Sequence, residues 1–186
     1  VGNVAIGAQP FGQVTEATYA TAVGTEASRY NKGEKTVSVG YKALYYGNDS
    51  SNSKHNTAVG FQALLGDGSD SSGNYCTALG SEALYARAGG DENTAAGRKA
   101  GYALTTGDAN TFLGESAGDA LTTGSNNLIL GHDAAASAVT VSNEITLGDT
   151  NITKFRVPGL NFVIKDSTAT DNYVLTVDAN GEAGWE

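Results

Sequence analysis

Few residues of this 186-residue chain are equipped for chemistry, and their spacing limits what they can do. The two histidines, His55 and His132, lie in a Ser/Asn-rich run and directly after a repeated glycine, with no cysteine or second histidine at zinc-ligand spacing. The single Cys76 has no neighbouring histidine to take its proton, so it reads as a small buried residue, and it can form no intrachain disulfide. Asp67-Gly68-Ser69-Asp70 and Gly90-Asp91-Glu92-Asn93 have the composition of calcium-loop fragments. They lack both the alternating-Asp loop with its distant Glu and a calcium-binding nonapeptide array, so they read as solvated turns. No glycine-rich phosphate loop with its lysine is present. The expectation is no catalytic residue, no metal ligand and no cofactor; a carboxylate pair drawn from distant rungs is the one enzymatic arrangement the pattern leaves open. Tyr45, Tyr85 and Tyr102 share one repeat position, where aromatic rings either pack on the next repeat or stack on sugars.

The elements that would hold these residues are set by a repeat. From Asn93 to Gly148 the chain reads NTAAGRKAGYALTTGDA, NTFLGESAGDALTTGSN, NLILGHDAAASAVTVSN, EITLG, a 17-residue period. Extended backwards, the register gives nine rung glycines: Gly7, Gly24, Gly40, Gly60, Gly80, Gly97, Gly114, Gly131 and Gly148. A fixed period of this length marks a solenoid, in which each unit is too small to bury its own apolar face and stacks on its neighbours. The residue before each glycine is apolar: Ile6, Val23, Val39, Val59, Leu79, Ala96, Leu113, Leu130 and Leu147. This column is expected to be the core. Three before the glycine stand mostly β-branched residues, so each rung holds a short strand whose first and third residues share the core face, with Ala22, Ser38, Ala58, Ala78 and Ala95 pointing away. Asn56, Asn93, Asn110 and Asn127 form a further column, expected to hydrogen-bond from rung to rung as an amide ladder. Tyr41 and Phe61 should form an aromatic pair, and Arg98, Glu115, His132 and Asp149 a stripe of charges.

The repeat stops after Gly148. Residues 1–150 are therefore read as the solenoid and 151–186 as a small C-terminal β-module, with strands over Phe155 to Val157, Leu160 to Lys165 and Tyr173 to Val177, and a return ending at Trp185. Turns at Pro158-Gly159 and Asp178-Ala179-Asn180-Gly181 connect them. Such a module would cover strand edges that an open solenoid end exposes.

Composition and charge narrow the partners. The chain has 25 Gly, 5 Phe, 1 Trp and no Met, too few large side chains for a conventional globule of this size. Its net charge of −9 disfavours nucleic acid and anionic membrane surfaces, and no apolar run is long enough for a membrane helix. One dependable apolar column per rung is too little to line a closed coil, which leads to the expectation of three chains sharing a core, as an intertwined or side-by-side homotrimer.

The motifs NTAVG-x-x-A (Asn56 to Ala63), NTAAGRKA, NTFLGESA and TALGSEA resemble the head repeats of trimeric autotransporter adhesins of the YadA type. With GYxAL-like segments, and with FRVPGLNF and VLTVDANGEAGW following the array, the chain resembles bacteriophage tail fibres still more closely. The resemblance covers nearly the whole chain. It implies an all-β, left-handed parallel β-roll or β-solenoid in a homotrimer. It implies a virion fibre, extracellular, whose partners are its own copies, other fibre or baseplate proteins, and a host surface glycan or outer-membrane protein. The alternative is the head of a bacterial trimeric adhesin. The period is longer than in the adhesin heads, which requires larger turns.

Overall fold

The structure, a computed structural model, describes residues 2–12, 17–46, 55–68 and 73–156, and the backbone of 175–177 and 183–185. It is all-β, with no helix among the described residues. Nine three-residue strands form one parallel sheet in chain order: β1 Val4–Ile6, β2 Thr21–Val23, β3 Val37–Val39, β4 Thr57–Val59, β5 Thr77–Leu79, β6 Thr94–Ala96, β7 Thr111–Leu113, β8 Leu128–Leu130 and β9 Ile145–Leu147. The chain is a β-solenoid of about 8 turns with roughly 17 residues per turn. Equivalent positions stack throughout, and the 20-residue steps preserve the register, with Thr57 opposite Thr77 and Val59 opposite Leu79. The extra residues of those steps are therefore taken up outside the strands.

The glycine column turns the chain at the end of each strand. Gly80 has φ +135°, and a β-carbon there would lie 2.5 Å from the carbonyl oxygen of Gly97 in the next rung. Both the backbone angle and the space forbid a side chain. Two residues later the chain enters the left-handed region again, at Lys42, Glu82, Lys99 and Ser116 among others. Ordinary side chains occupy these corners because the stacked backbone fixes the angle: Lys99 N–H donates to the Ser81 carbonyl 2.9 Å away, and Glu82 N–H to that of Phe61.

The interior differs from the sequence expectation. Ile6, Val59, Leu79, Leu113 and Leu147 face outward, with Val23, Val39, Ala96 and Leu130 half-buried. The middle residues of the strands, Ala22, Ser38, Ala58, Ala78, Ala95, Phe112 and Ile129, are fully buried instead. The period-two alternation was right and its polarity was inverted. In so thin a coil the available volume sets the inner column: alanine or serine fills it in five rungs, and Phe112 and Ile129 fit where the positions across the coil are Gly101, Gly118 and Ala135. The rest of the interior comes from the far side of the coil, from Ala43, Ala63, Ala83, Ala100 and Ala117 and from Leu44, Leu64, Leu84, Leu104 and Leu121. A single chain thus closes its own core, and the argument that it has too few core residues does not hold.

Size is matched across this core, rung by rung. Where the strand contributes Ala58 or Ala78, the position four after the glycine is Leu64 or Leu84. Where the strand contributes Phe112, the facing positions are Gly101 and Gly118, and a β-carbon at Gly101 would come within 2.8 Å of the Phe112 ring. At the level of Gly24 and Gly40 the pair is polar, Ser28 and Ser38, with hydroxyls 2.8 Å apart. Each solution fills the same space, as close packing requires.

The asparagine ladder forms as expected. The side-chain oxygen of Asn93 accepts the N–H of Asn110 at 2.9 Å and its Nδ2 at 3.1 Å, and Asn110 does the same for Asn127. Each amide also donates to a loop carbonyl one turn on: Asn93 to Gly107, Asn110 to Gly124 and Asn127 to Val141, all at 2.8 Å. Each side chain thus satisfies two buried backbone groups, one N–H and one carbonyl, and Asn110 and Asn127 add an amide-to-amide bond to the rung before.

The chain divides into two units, Val1–Thr153 and Lys154–Glu186. In the second, β10 (Leu175–Val177) and β11 (Ala183–Trp185) pair antiparallel, with Leu175 opposite Trp185, as the hairpin reading expects. Phe155 and Arg156 are not in a strand, contrary to expectation. The strand over Leu160 to Lys165 and both expected turns lie outside the described residues.

Candidate interaction face

Because the branched residues are turned out, the outer face of the nine-stranded sheet carries two parallel columns. One runs Ile6, Val23, Val39, Val59, Leu79, Ala96, Leu113, Leu130, Leu147; the other runs Val4, Thr21, Val37, Thr57, Thr77, Thr94, Thr111, Leu128, Ile145. Ile6 is 59% exposed, Leu79 43%, Leu113 54% and Leu147 47%. No charged residue interrupts either column. At strand spacing the face is a strip about 40 Å long and about 10 Å wide, the scale on which exposed apolar patches mark interfaces. The column identified from sequence as core is therefore a continuous apolar column on the outer surface.

The residue after each glycine gives a ladder of its own. Tyr41 and Phe61 stack with centroids 5.5 Å apart and planes at 18°. Arg98 pairs with Glu115 one rung on, and the hydrogen bond from Arg98 holds the Glu115 carboxyl below the usual carboxylate range. His132 follows, its Nδ1 3.2 Å from an Asp133 oxygen, and then Asp149, whose carboxyl is lowered chiefly by hydrogen bonds from Asn151. The expected stripe of charges is present, on a well-exposed surface where such pairs contribute little. Tyr85 and Tyr102 stack at 4.9 Å, and burial raises the Tyr102 phenol. Tyr45 instead joins Tyr30 and Tyr46 in a three-ring cluster, which sequence reasoning missed because Tyr30 and Tyr46 lie one position beyond the tyrosine column.

Cys76 is fully buried in the asparagine column, and burial pushes its thiol up. A thiol cannot donate as an amide does, and here Arg87 supplies the missing donors. Its Nε donates to the Gly90 carbonyl at 3.1 Å, the carbonyl equivalent to Gly107 and Gly124 in the next rungs, and its Nη2 to Gly89 at 3.3 Å. Arg87 occupies the position that Leu104 and Leu121 fill later, and desolvation lowers its guanidinium. Cys76 and Arg87 together replace Asn and Leu.

His55 stacks on Tyr75 with centroids 5.3 Å apart and does not meet His132. Asp91 accepts the Asn74 N–H at 2.7 Å, and Asp108 that of Asp91, so this stretch acts as a side-chain-to-backbone ladder. Ser69 and Asp70 lie outside the described residues. No group of three or more His, Cys, Asp or Glu side chains placed to hold a metal ion occurs among the described residues. No helix among them is long and apolar enough to cross a membrane. An open cleft of about 360 Å³ is lined by Asp133, Ala135, Gly148, Asp149 and Thr150. No family model, curated protein or solved structure matches the chain.

Proposed function

We propose that this chain is a structural fibre protein of a virion, a trimeric tail-fibre shaft or tip that attaches to a host-cell surface. The observation that supports this reading best is the uncharged outer face of the sheet, with its unbroken apolar column from Ile6 to Leu147. A strip of this size left in water on a lone chain would invite aggregation, and three copies packed about a common axis cover all three strips at once. The solenoid beneath is rigid, since every rung is bonded to the next through strands and stacked glycines, and the amide ladder adds to this from Asn93 to Asn127. Nine rungs give a rod about 40 Å long. Its task on this reading is reach and threefold display, which converts weak single contacts into avidity. The test is binding of the labelled chain to a panel of intact bacteria. Saturable binding to some strains and not others is the expected result. Uniform absence of binding would refute the recognition role, and release of oligosaccharide from the cells would replace it with an enzymatic one.

A further inference from the structure

Charge is segregated along this chain in a way the totals hide. Residues 26–46 carry Arg29, Lys32, Lys35 and Lys42 against Glu26 and Glu34, a net +2, which leaves −11 for the remainder. The same segment holds Tyr30, Tyr41, Tyr45 and Tyr46, four of the nine tyrosines. The fold brings the tyrosines together with Arg29, Lys42 and Glu26 across the turns of Gly24 and Gly40. Tyr30 stacks on Tyr46 at 5.6 Å with planes 14° apart, and Tyr45 stands edge-on to both. The Lys42 ammonium lies 5.3 Å from the Tyr41 ring centre and 4.9 Å from that of Tyr45, and the Arg29 guanidinium 5.4 Å from that of Tyr30. Tyr41 and Tyr46 remain 42% and 40% exposed. Arg29 donates to Glu26 through Nη1, and the Lys42 ammonium lies 3.5 Å from the other oxygen of that carboxylate.

We infer that this tyrosine and cation patch is a binding site for an acidic polysaccharide, a chain of sugar rings bearing carboxylates. The exposed phenol faces suit the C–H faces of sugar rings. Lys42 and Arg29 share the single carboxylate of Glu26, so the two cations outnumber it and suit a second carboxylate. The surrounding negative charge repels a polyanion everywhere else and so directs it here. A neutral glycan would gain the rings but nothing from the charge. The inference draws on the host-surface reading for the source of its ligand, while the patch itself belongs to a single chain.

The test is calorimetric titration of the whole chain with an oligogalacturonate, a dextran oligomer of equal length and a linear polyphosphate. The oligogalacturonate should bind best, and its affinity should fall as salt rises from about 0.05 to about 0.5 M. Lys42→Gln and Tyr46→Ser should each weaken it about tenfold, while Arg98→Gln, which removes the same charge outside the patch, should change it less than about twofold. Dextran binding as tightly would overturn the role of charge, and polyphosphate binding as tightly that of the rings. Equal losses in Lys42→Gln and Arg98→Gln, or no binding of the oligogalacturonate, would overturn the site. Mass measured on the same samples separates the two proposals. A trimer that binds no acidic oligosaccharide refutes this inference alone. A monomer that binds with the expected variant pattern refutes the trimer and upholds the site.

Discussion

Cys76 and Arg87 can be exchanged for the residues of the neighbouring rungs, which makes a double-mutant cycle. Arg87→Leu restores the side chain found at Leu104 and Leu121 and relieves a buried guanidinium whose hydrogen bonds go to the Gly89 and Gly90 carbonyls. Burying the leucine contributes about 1.5–3 kcal/mol, while the Gly90 carbonyl loses its main donor at a cost of about 1–3 kcal/mol, so the single variant should lie within about 1 kcal/mol of the parent. Cys76→Asn alone adds an amide where Arg87 already bonds Gly90, and crowding should cost about 1–3 kcal/mol. Together the two changes rebuild the arrangement of Asn93, Leu104 and Gly107, in which the amide donates at 2.8 Å. The double variant should exceed the parent by about 1–4 kcal/mol, the range seen when buried charge gives way to well-packed apolar side chains. The coupling between the sites should therefore exceed about 1 kcal/mol. Denaturant unfolding under reducing conditions measures all four corners. Additive effects, or a double variant less stable than both singles, would refute the claim that Arg87 substitutes for a missing ladder amide.

Other consequences follow from the same packing. Gly80→Ala places a β-carbon 2.5 Å from the Gly97 carbonyl at φ +135°, and should cost at least about 2 kcal/mol in thermal or denaturant unfolding. Phe112→Ala should cost about 3–5 kcal/mol, and adding Gly118→Leu, which recreates the pairing of Ala78 with Leu84, should recover a measurable part of the loss. Glu144 ends the amide ladder by accepting bonds from the Ser137 hydroxyl and N–H and from the Thr146 hydroxyl, which hold its carboxyl below its usual range. Its contribution is present above the unfolded carboxylate value and is lost as pH falls through the lowered folded value. The protection of the Ser137 amide against exchange, taken relative to its intrinsic rate at each pH, should accordingly fall in that acidic window in the parent, and should already be low at neutral pH in Glu144→Gln.

Most of the coil was legible in the sequence because stacking repeats every position. The glycine column, the strand in each rung, the amide ladder, the Tyr41–Phe61 pair and the Arg98–Glu115 pair all follow from a register that can be read by eye. The direction of the strand faces was not, because apolarity was taken as the mark of the inside. In this coil the inside is defined by volume, and the sequence carries that signal as a trade between columns: Ala58 and Ala78 in the strand go with Leu64 and Leu84 across the coil, and Phe112 with Gly101 and Gly118. The Cys76 and Arg87 exchange is visible in the same way, as a double departure from the Asn and Leu of the following rungs. The tyrosine cluster was hidden, since Tyr30, Tyr45 and Tyr46 meet only once consecutive turns are superposed.

On the proposed reading the outward apolar face is covered by two further copies of the chain. Sedimentation equilibrium of the whole chain, alongside Leu113→Glu, tests this most directly. Leu113 is 54% exposed on a single coil, so the variant should keep its fold. The parent should sediment at three times the 18.9 kDa chain mass and the variant as a folded monomer. A parent that is a stable, soluble monomer with its apolar strip in water would contradict the account.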